Sequence, residues 1–200
     1  MFDYSSLFRL GYGLYVITTS LDGKDNAMIC NAAIQVTDSP ARMVVCIGKQ
    51  NYTHDLIMQS KKLNVNCISV SAPFDLFRQF GFKSGKNEDK LKNVSFIRSA
   101  NGLPILLKYV NAFISLKVDS YVDLDTHSMF ICTVTDGQIL TNEETMTYTY
   151  YHQNVKPKPQ KKTGWVCKIC GHIHEAESLP DDFTCPVCGH SKEYFERVEI

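Results

Sequence analysis

Along the first 155 residues the apolar and β-branched positions fall into short runs cut by turn residues, the pattern of strands rather than of long helices. Gly13-Leu14-Tyr15-Val16-Ile17-Thr18-Thr19-Ser20 is aromatic and β-branched and ends in the turn Leu21-Asp22-Gly23-Lys24. Residues 27–36, 43–48, 63–69, 110–122 and 129–138 are further β-type runs. The aromatic cluster Tyr148-Thr149-Tyr150-Tyr151 reads as strand packing. Two short helices are expected to interrupt the strands, one from Asn51 as N-cap through Met58 and one over residues 73–80. The class these elements predict is mainly β, a barrel with short helical insertions.

The pattern stops at Lys156-Pro157-Lys158-Pro159-Gln160-Lys161-Lys162-Thr163, which has no large apolar side chain and alternates proline with charge. Such a segment cannot pack and tends to an extended form of about 3.1 Å per residue, a reach of roughly 25 Å. We therefore expect three parts: a barrel over 1–155, a linker over 156–163 and a small unit over 164–200. Charge follows the same division. The 200-residue chain has no formal net charge, yet its last part holds seven acidic residues (Glu175, Glu177, Asp181, Asp182, Glu193, Glu196, Glu199) against three basic ones (Lys168, Lys192, Arg197). An acidic module of this size suits a basic protein partner and argues against nucleic acid. The opening residues Met1 to Ser6 lack a basic and then apolar leader, and no apolar run approaches the about 18 residues of a membrane span. A cytoplasmic protein with no membrane partner is expected, its single cysteines Cys30, Cys46, Cys67 and Cys132 reading as buried free thiols.

Chemistry concentrates in the small unit. Cys167-x-x-Cys170 and Cys185-Pro186-Val187-Cys188 are two knuckles fourteen residues apart, which place four thiolates around one ion, iron or zinc. Trp165, Phe183, Tyr194 and Phe195 crowd them. Together with Leu179-Pro180 and Lys192, this ordered set resembles a rubredoxin, a one-iron electron carrier. The spacer is shorter than in free-standing rubredoxins, and His172 and His174, read as solvated loop histidines, stand where aromatic residues are common. A zinc ribbon with the same four thiolates is the alternative.

Nucleotide motifs of the α/β kind are missing from the larger part. Gly11-Tyr12-Gly13 lacks the third glycine and the helix of a dinucleotide fingerprint. Gly81-Phe82-Lys83-Ser84-Gly85-Lys86 has its glycines one residue too close for a phosphate loop, and Asn87 stands where a Ser or Thr would hold magnesium.

A second resemblance runs through Asp22-Gly23-Lys24-x-Asn26-Ala27, Gln35-Val36-Thr37-x-x-Pro40, Lys49-x-Asn51-x-Thr53-His54, Ser60, Asn64-Val65-Asn66, Asp89-Lys90 and His127-Ser128-Met129-Phe130. In that order and spacing these are similar to the flavin reductase family, an FMN-binding split β-barrel that is usually a homodimer. The residue types suit the cofactor. A flavin phosphate needs hydroxyls, backbone N–H groups and cations, which Lys49, Asn51, Thr53 and Lys90 can supply. The ring edge needs amide-like groups, available from Asn26, Ala27 and Met28 and from Gln35, Val36 and Thr37. By resemblance His127 lies near the phosphate or the bound nicotinamide and is the candidate catalytic residue.

The two resemblances together imply an oxidoreductase in which NAD(P)H reduces FMN and the flavin passes single electrons to an iron held by Cys167, Cys170, Cys185 and Cys188. Such a fusion resembles the high-molecular-weight rubredoxins of anaerobes, which implies a flavodiiron oxygen or nitric oxide reductase as the protein acceptor. Two other functions fit the same residues: a reductase that supplies free reduced flavin, and a flavin-binding sensor with a structural zinc ribbon.

Overall fold

A computed structural model of the chain describes residues 3–157 and 163–199. Most of the expected linker, positions 158–162, lies outside the described residues. Two compact units separate between Lys156 and Pro157.

The larger unit is built on seven strands: β1 (Tyr15–Leu21), β2 (Lys24–Cys30), β3 (Ala33–Asp38), β4 (Ala41–Gly48), β5 (Lys62–Ile68), and a long hairpin that follows a short β6 (Phe96–Arg98) and β7 (Pro104–Leu106), namely β8 (Val110–Leu124) and β9 (His127–Ile139). The large sheet runs in the order β2-β1-β5-β8-β9-β4-β3, and every neighbouring pair is antiparallel. Its two edge strands, β2 and β3, are consecutive in the chain and joined only by Asn31 and Ala32. So short a connection between opposite ends of a sheet forces the sheet to curl round on itself. The expected single run over residues 27–36 is thus two strands: a largely apolar run carries little mark of the corner, and at the corner itself only the polar Asn31 interrupts it.

Helix α1 (Tyr52–Ser60) follows β4 and buries Leu56 and Ile57 against the barrel, whose core includes Ile17, Val45, Leu63, Val65, Leu116 and Phe130. Burying a side chain the size of Phe130, which has no exposed surface, is worth about 1.5–3 kcal/mol. Helix α2 (Phe74–Gly81) starts at Pro73 and packs Leu76, Phe77 and Phe80 into a second core with Leu14, Val16, Ile68 and Met146. Tyr148–Tyr150 is not strand but a helical turn, α3, continued by a π-helical turn over Tyr151–Val155. Thr147 accepts the N–H of Tyr150 and so starts a helix, and Tyr151 packs on Phe77 with ring centroids 4.3 Å apart. That tertiary contact overrides the strand propensity of an aromatic run.

Two buried asparagines fix the β6–β7 hairpin to the barrel. Asn66 donates to Val16 O and accepts from Leu106 N, while Asn64 donates to Ser99 Oγ and accepts from Asn101. These two amides are tolerated inside the barrel because each both donates and accepts there.

The smaller unit has three strands in the order β11-β10-β12, from β10 (Thr163–Cys167), β11 (Ile173–His174) and β12 (Phe195–Glu199). Its core is Cys167, Cys185 and Phe195, flanked by Trp165, Leu179 and Phe183. Among the described residues no helix is long and apolar enough to cross a membrane.

Candidate functional site

A hollow of about 160 Å³ opens where β2 passes the start of α1. Asn26 and Met28 of β2, Asn51 to Thr53 at the helix start, Gly81 at the end of α2, and Lys83, Ser84, Gly85 and Lys90 beyond it line the hollow. Pleating turns Asn26 inward, where its Nδ2 donates to Thr53 Oγ1 at 2.9 Å. The Thr53 hydroxyl is used there as an acceptor, so its own proton remains for a ligand. Asn51 holds the expected N-cap position with extended backbone, but its side chain donates to Gly48 O and does not cap the helix. Tyr52 and Thr53 bring the start of α1, the positive end of its dipole, to the wall of the hollow, an arrangement that favours anions, while the His54 N–H is taken by Asn51 O.

Lys90 supplies the cation. It is only 4% exposed, and its Nζ donates to Phe80 O and Lys83 O at 3.1 Å each, leaving one ammonium proton. Burial pulls its pKa down from 10.5 to about 8, an effect that nearby Glu88 partly opposes. The loop it clamps comes very close to β2: a Cβ on Gly85 would stand 2.1 Å from Asn26 Oδ1. This segment, set aside as a failed phosphate loop, is a wall of the hollow. Its glycines and lysines were the visible signal, and the nucleotide-loop template was the wrong test for them.

Other expected contacts lie elsewhere. Ala27 points into the core with no exposed surface. Gln35, Val36 and Thr37 are exposed on β3, with Gln35 bonded to Thr37 O and Asp38. Lys49 Nζ is held by both carboxylate oxygens of Asp123 at 2.6 and 2.7 Å. His127 is exposed, with Nδ1 2.9 Å from Thr126 Oγ1, and its Nε2 faces Gly48 beside the Asn51 amide. Only Asn26, Met28, Asn51, Thr53 and Lys90 of the expected set share the hollow.

One arrangement imitates a hydrolytic triad: His54 Nε2 lies 3.0 Å from Ser128 Oγ, and its Nδ1 lies 3.2 Å from Asp55. Ser128 is 1% exposed, so its hydroxyl cannot meet a substrate and serves to tie α1 to β9. The barrel thiols are equally unreactive. Burial pushes Cys30 and Cys67 up to about 11 and Cys132 to about 12, and Cys46, half-buried, is also raised by burial.

In the smaller unit the four knuckle sulfurs come together. Cys167, Cys170, Cys185 and Cys188 have their Sγ atoms within 4.8 Å of one another, with the Cys167–Cys188 and Cys170–Cys185 pairs at 3.6 Å. A tetrahedral ion with metal–sulfur bonds of about 2.3 Å needs separations of about 3.8 Å, so the set fits one ion. Both loops use the same device. Gly171 and Gly189 take φ of 75° and 72°, and their N–H groups return to Cys167 O and Cys185 O at 2.8 Å. Burial opposes the Cys185 thiolate, but N–H groups of Cys188 and Val187 bring its pKa to about 7. Cys167 and Cys185 are buried, whereas Cys170 is exposed, as are Ile169 and Val187 of the two knuckles. His174 is not simply solvated: its ring lies 4.5 Å from that of Phe183.

Comparison with known proteins agrees with this division. Residues 7–158 match the flavin reductase like domain family, and residues 165–196 match the rubrerythrin, rubredoxin-like domain. A high molecular weight rubredoxin of Moorella thermoacetica is 34% identical, with 98% of this chain and all of that protein covered. A ferric-chelate reductase (NAD(P)H) of Archaeoglobus fulgidus is 29% identical over 78% of this chain and 92% of its own. Among solved structures, flavin reductase PheA2 in its native state superposes with a TM-score of 0.63 at 27% identity, covering 88% of this chain and the whole of that one.

Proposed function

The chain belongs to the flavin reductase-like family and carries a rubredoxin-like unit after it, and from that premise we propose that it moves electrons from NAD(P)H through FMN to one iron and on to a protein acceptor. The observation that carries this reading is the presence, in one chain, of an anion-seeking hollow on a flavin reductase barrel and a four-sulfur set of one-ion size. Bound FMN accepts a hydride and releases electrons singly, and a four-thiolate iron handles one electron at a time.

In this reading residues 1–155 are the flavin unit, 156–163 the tether and 164–200 the iron unit. The phosphate of FMN is held by the Thr53 hydroxyl, the first-turn N–H groups after Asn51 and the free proton of Lys90. Asn26 orients Thr53, and Met28 with the backbone of Ala27 lies along the ring. A hollow of about 160 Å³ is smaller than the roughly 300–1,000 Å³ of a complete cofactor pocket, so one chain encloses only part of a flavin. A homodimer supplies the rest. The exposed Ile34 and Val36 on β3 and Ile139 on β9 support a second copy as their cover. At such an interface Gln35, Val36, Thr37, Lys49 and His127 lie outside the hollow yet within reach of a flavin that spans it, with His127 as the group facing the nicotinamide.

Cys167, Cys170, Cys185 and Cys188 hold the iron, and exposed Cys170 is the exit for electrons. The acidic surface of the small unit suits a basic docking patch, and a flavodiiron oxygen or nitric oxide reductase is the acceptor we propose. Protonated, unpaired barrel thiols support a cytoplasmic setting. The deciding experiment is anaerobic stopped-flow absorbance with NAD(P)H. Flavin bleaching should precede iron bleaching, and removing FMN should leave the iron oxidised. Iron that bleaches first, or without FMN, overturns the relay.

A further inference from the structure

Lys90 is held at the hollow from both of its ends by two adjacent residues of α2. Its Nζ doubles back to Phe80 O, one of the last carbonyls of the helix, which have no partner inside it. A cation there also suits the negative pole of the helix. The return bond comes from the residue before: Gln79 Nε2 donates to Lys90 O at 2.7 Å. Gln79 thus gives its side chain to the Lys90 main chain, and Lys90 gives its side chain to the Phe80 main chain.

Other anchors hold the neighbours of Lys90. Leu91 is buried in the core with Leu76, Phe77 and Phe80, and Asp89 Oδ1 closes a turn on the Leu91 N–H at 2.9 Å. Among the described residues Gln79 alone bonds its side chain to the Lys90 main chain. The tie matters because the ammonium it holds is only 4% exposed. A long cationic side chain swings its head to water when its stem is free to move, since burial disfavours the charge. Nearby charges do not replace the tie. Glu88 and Lys83 of the same loop pair with each other at 2.9 Å, and among the described residues no carboxylate lies within ion-pair distance of Lys90. Across the hollow α1 presents Asn51, Tyr52 and Thr53, with the Tyr52 phenol as its one titratable group, and β2 presents Asn26, Met28 and Ile29.

We propose that Gln79 is the positioning residue of the hollow: by holding the Lys90 main chain against the last turn of α2 it keeps the ammonium turned inward, and so sets the strength and the pH range of anion binding there. Its effect on FMN rests on reading the hollow as the seat of the flavin phosphate. Its effect on Lys90 does not.

The test compares the full metal-loaded chain with its Gln79→Met variant, in which a half-buried donor is replaced by a good helix former of similar size. FMN affinity at pH 7 should fall by about tenfold, the value of one charge-assisted contact. Its decline on raising the pH should move to higher pH than in the native protein. The flavin-free chain supplies a readout independent of FMN, the ¹³C NMR titration of the lysine ε-carbons, in which the Lys90 signal is the one missing from Lys90→Met. That signal should titrate near 8 in the native chain and closer to the ordinary 10.5 in Gln79→Met. An unchanged Lys90 titration in folded Gln79→Met overturns the proposal even if the urea midpoint falls, because Gln79 then serves the fold alone. A loss of FMN affinity in Lys90→Met that is absent from Gln79→Met overturns it as well. If Lys90→Met binds FMN as the native protein does, the flavin-phosphate reading falls, while a raised Lys90 titration in Gln79→Met still upholds the positioning role. Should Gln79→Met not fold, Gln79→Ala carries the same readouts.

Discussion

The Asn26 side-chain amide donates to Thr53 Oγ1 at 2.9 Å, joining an edge strand of the barrel to the first turn of α1 across 27 positions of sequence. Both residues are almost wholly buried, at 3% and 2% exposure. The bond therefore does two things. It fixes the helix start, and it sets the direction in which the remaining Thr53 proton points.

Thr53→Val keeps the shape and removes the hydroxyl. FMN affinity should fall by about tenfold, the value of one neutral or charge-assisted hydrogen bond. Asn26 then keeps an unpaired amide, so the urea midpoint should fall as well, by about 1–3 kcal/mol of stability. Fluorescence titration with FMN and equilibrium unfolding measure the two effects, and an unchanged FMN affinity contradicts the assigned phosphate site.

Gly85→Ala should disturb the same site from the other side. The added Cβ meets Asn26 Oδ1 at 2.1 Å and Cγ at 2.7 Å, so Asn26 must leave Thr53 or the loop must retreat. We expect FMN binding to weaken by at least about tenfold, by loss of one to two polar contacts. Gly11→Ala, with nothing within 4 Å of the new atom, is the control and should match the native protein.

If Lys90 holds the flavin phosphate as proposed, FMN binding should depend on pH. Its folded pKa of about 8 lies below the ordinary 10.5 because burial disfavours the ammonium. As pH rises through about 8 the free protein loses the cation, so FMN affinity should drop between pH 7 and 9, and Lys90→Met should abolish that slope. For stability the sign is opposite. Between about 8 and 10.5 the unfolded chain holds a proton that the folded chain has released, so this group makes the flavin-free barrel more stable as pH rises. Its contribution is unfavourable below about 8, where the buried ammonium must stay charged. Urea midpoints of the native protein and Lys90→Met across this window isolate it.

Cys185→Ser should remove the red iron absorbance and leave the flavin spectrum unchanged, since the sulfurs and the hollow belong to separate compact units. Cys30→Ser should leave both, because Cys30 is a buried thiol held protonated with a pKa of about 11. Metal analysis should return one iron per chain. Stoichiometric zinc in protein made with iron available contradicts the assignment.

Electron delivery should be sensitive to salt. The small unit carries seven acidic and three basic residues, so its transfer rate to a basic acceptor should fall steadily as ionic strength rises from about 0.01 to 0.15 M, where the Debye length shrinks from about 30 to 8 Å. NAD(P)H-to-flavin reduction within the barrel is the internal control and should change less. Cys188→Ser should keep that first step and abolish delivery.

What could be read along the chain was local. Cys167-x-x-Cys170 and Cys185-x-x-Cys188 each fit within one turn closed by a glycine of positive φ, so their spacing alone announced four converging sulfurs, and one pairing of two knuckles completed the set. The strands and the starts of α1 and α2 were legible for the same reason, since alternation, turns and caps act over a few residues. Tertiary structure decided whatever depended on register between distant segments. It turned the Asn51 amide to Gly48, gave Lys49 to Asp123 74 positions away, and buried Lys90 under the carbonyls of Phe80 in α2 and Lys83 in the loop that follows. It also made Gly81, Lys83, Ser84 and Gly85 a wall of the hollow and made Tyr148–Val155 helical, because Phe77 offered Tyr151 a ring to pack on. A side chain's type states which bonds it is able to make. Which of them it makes is set by the partner that folding brings within 3 Å, and that partner has no fixed distance along the sequence.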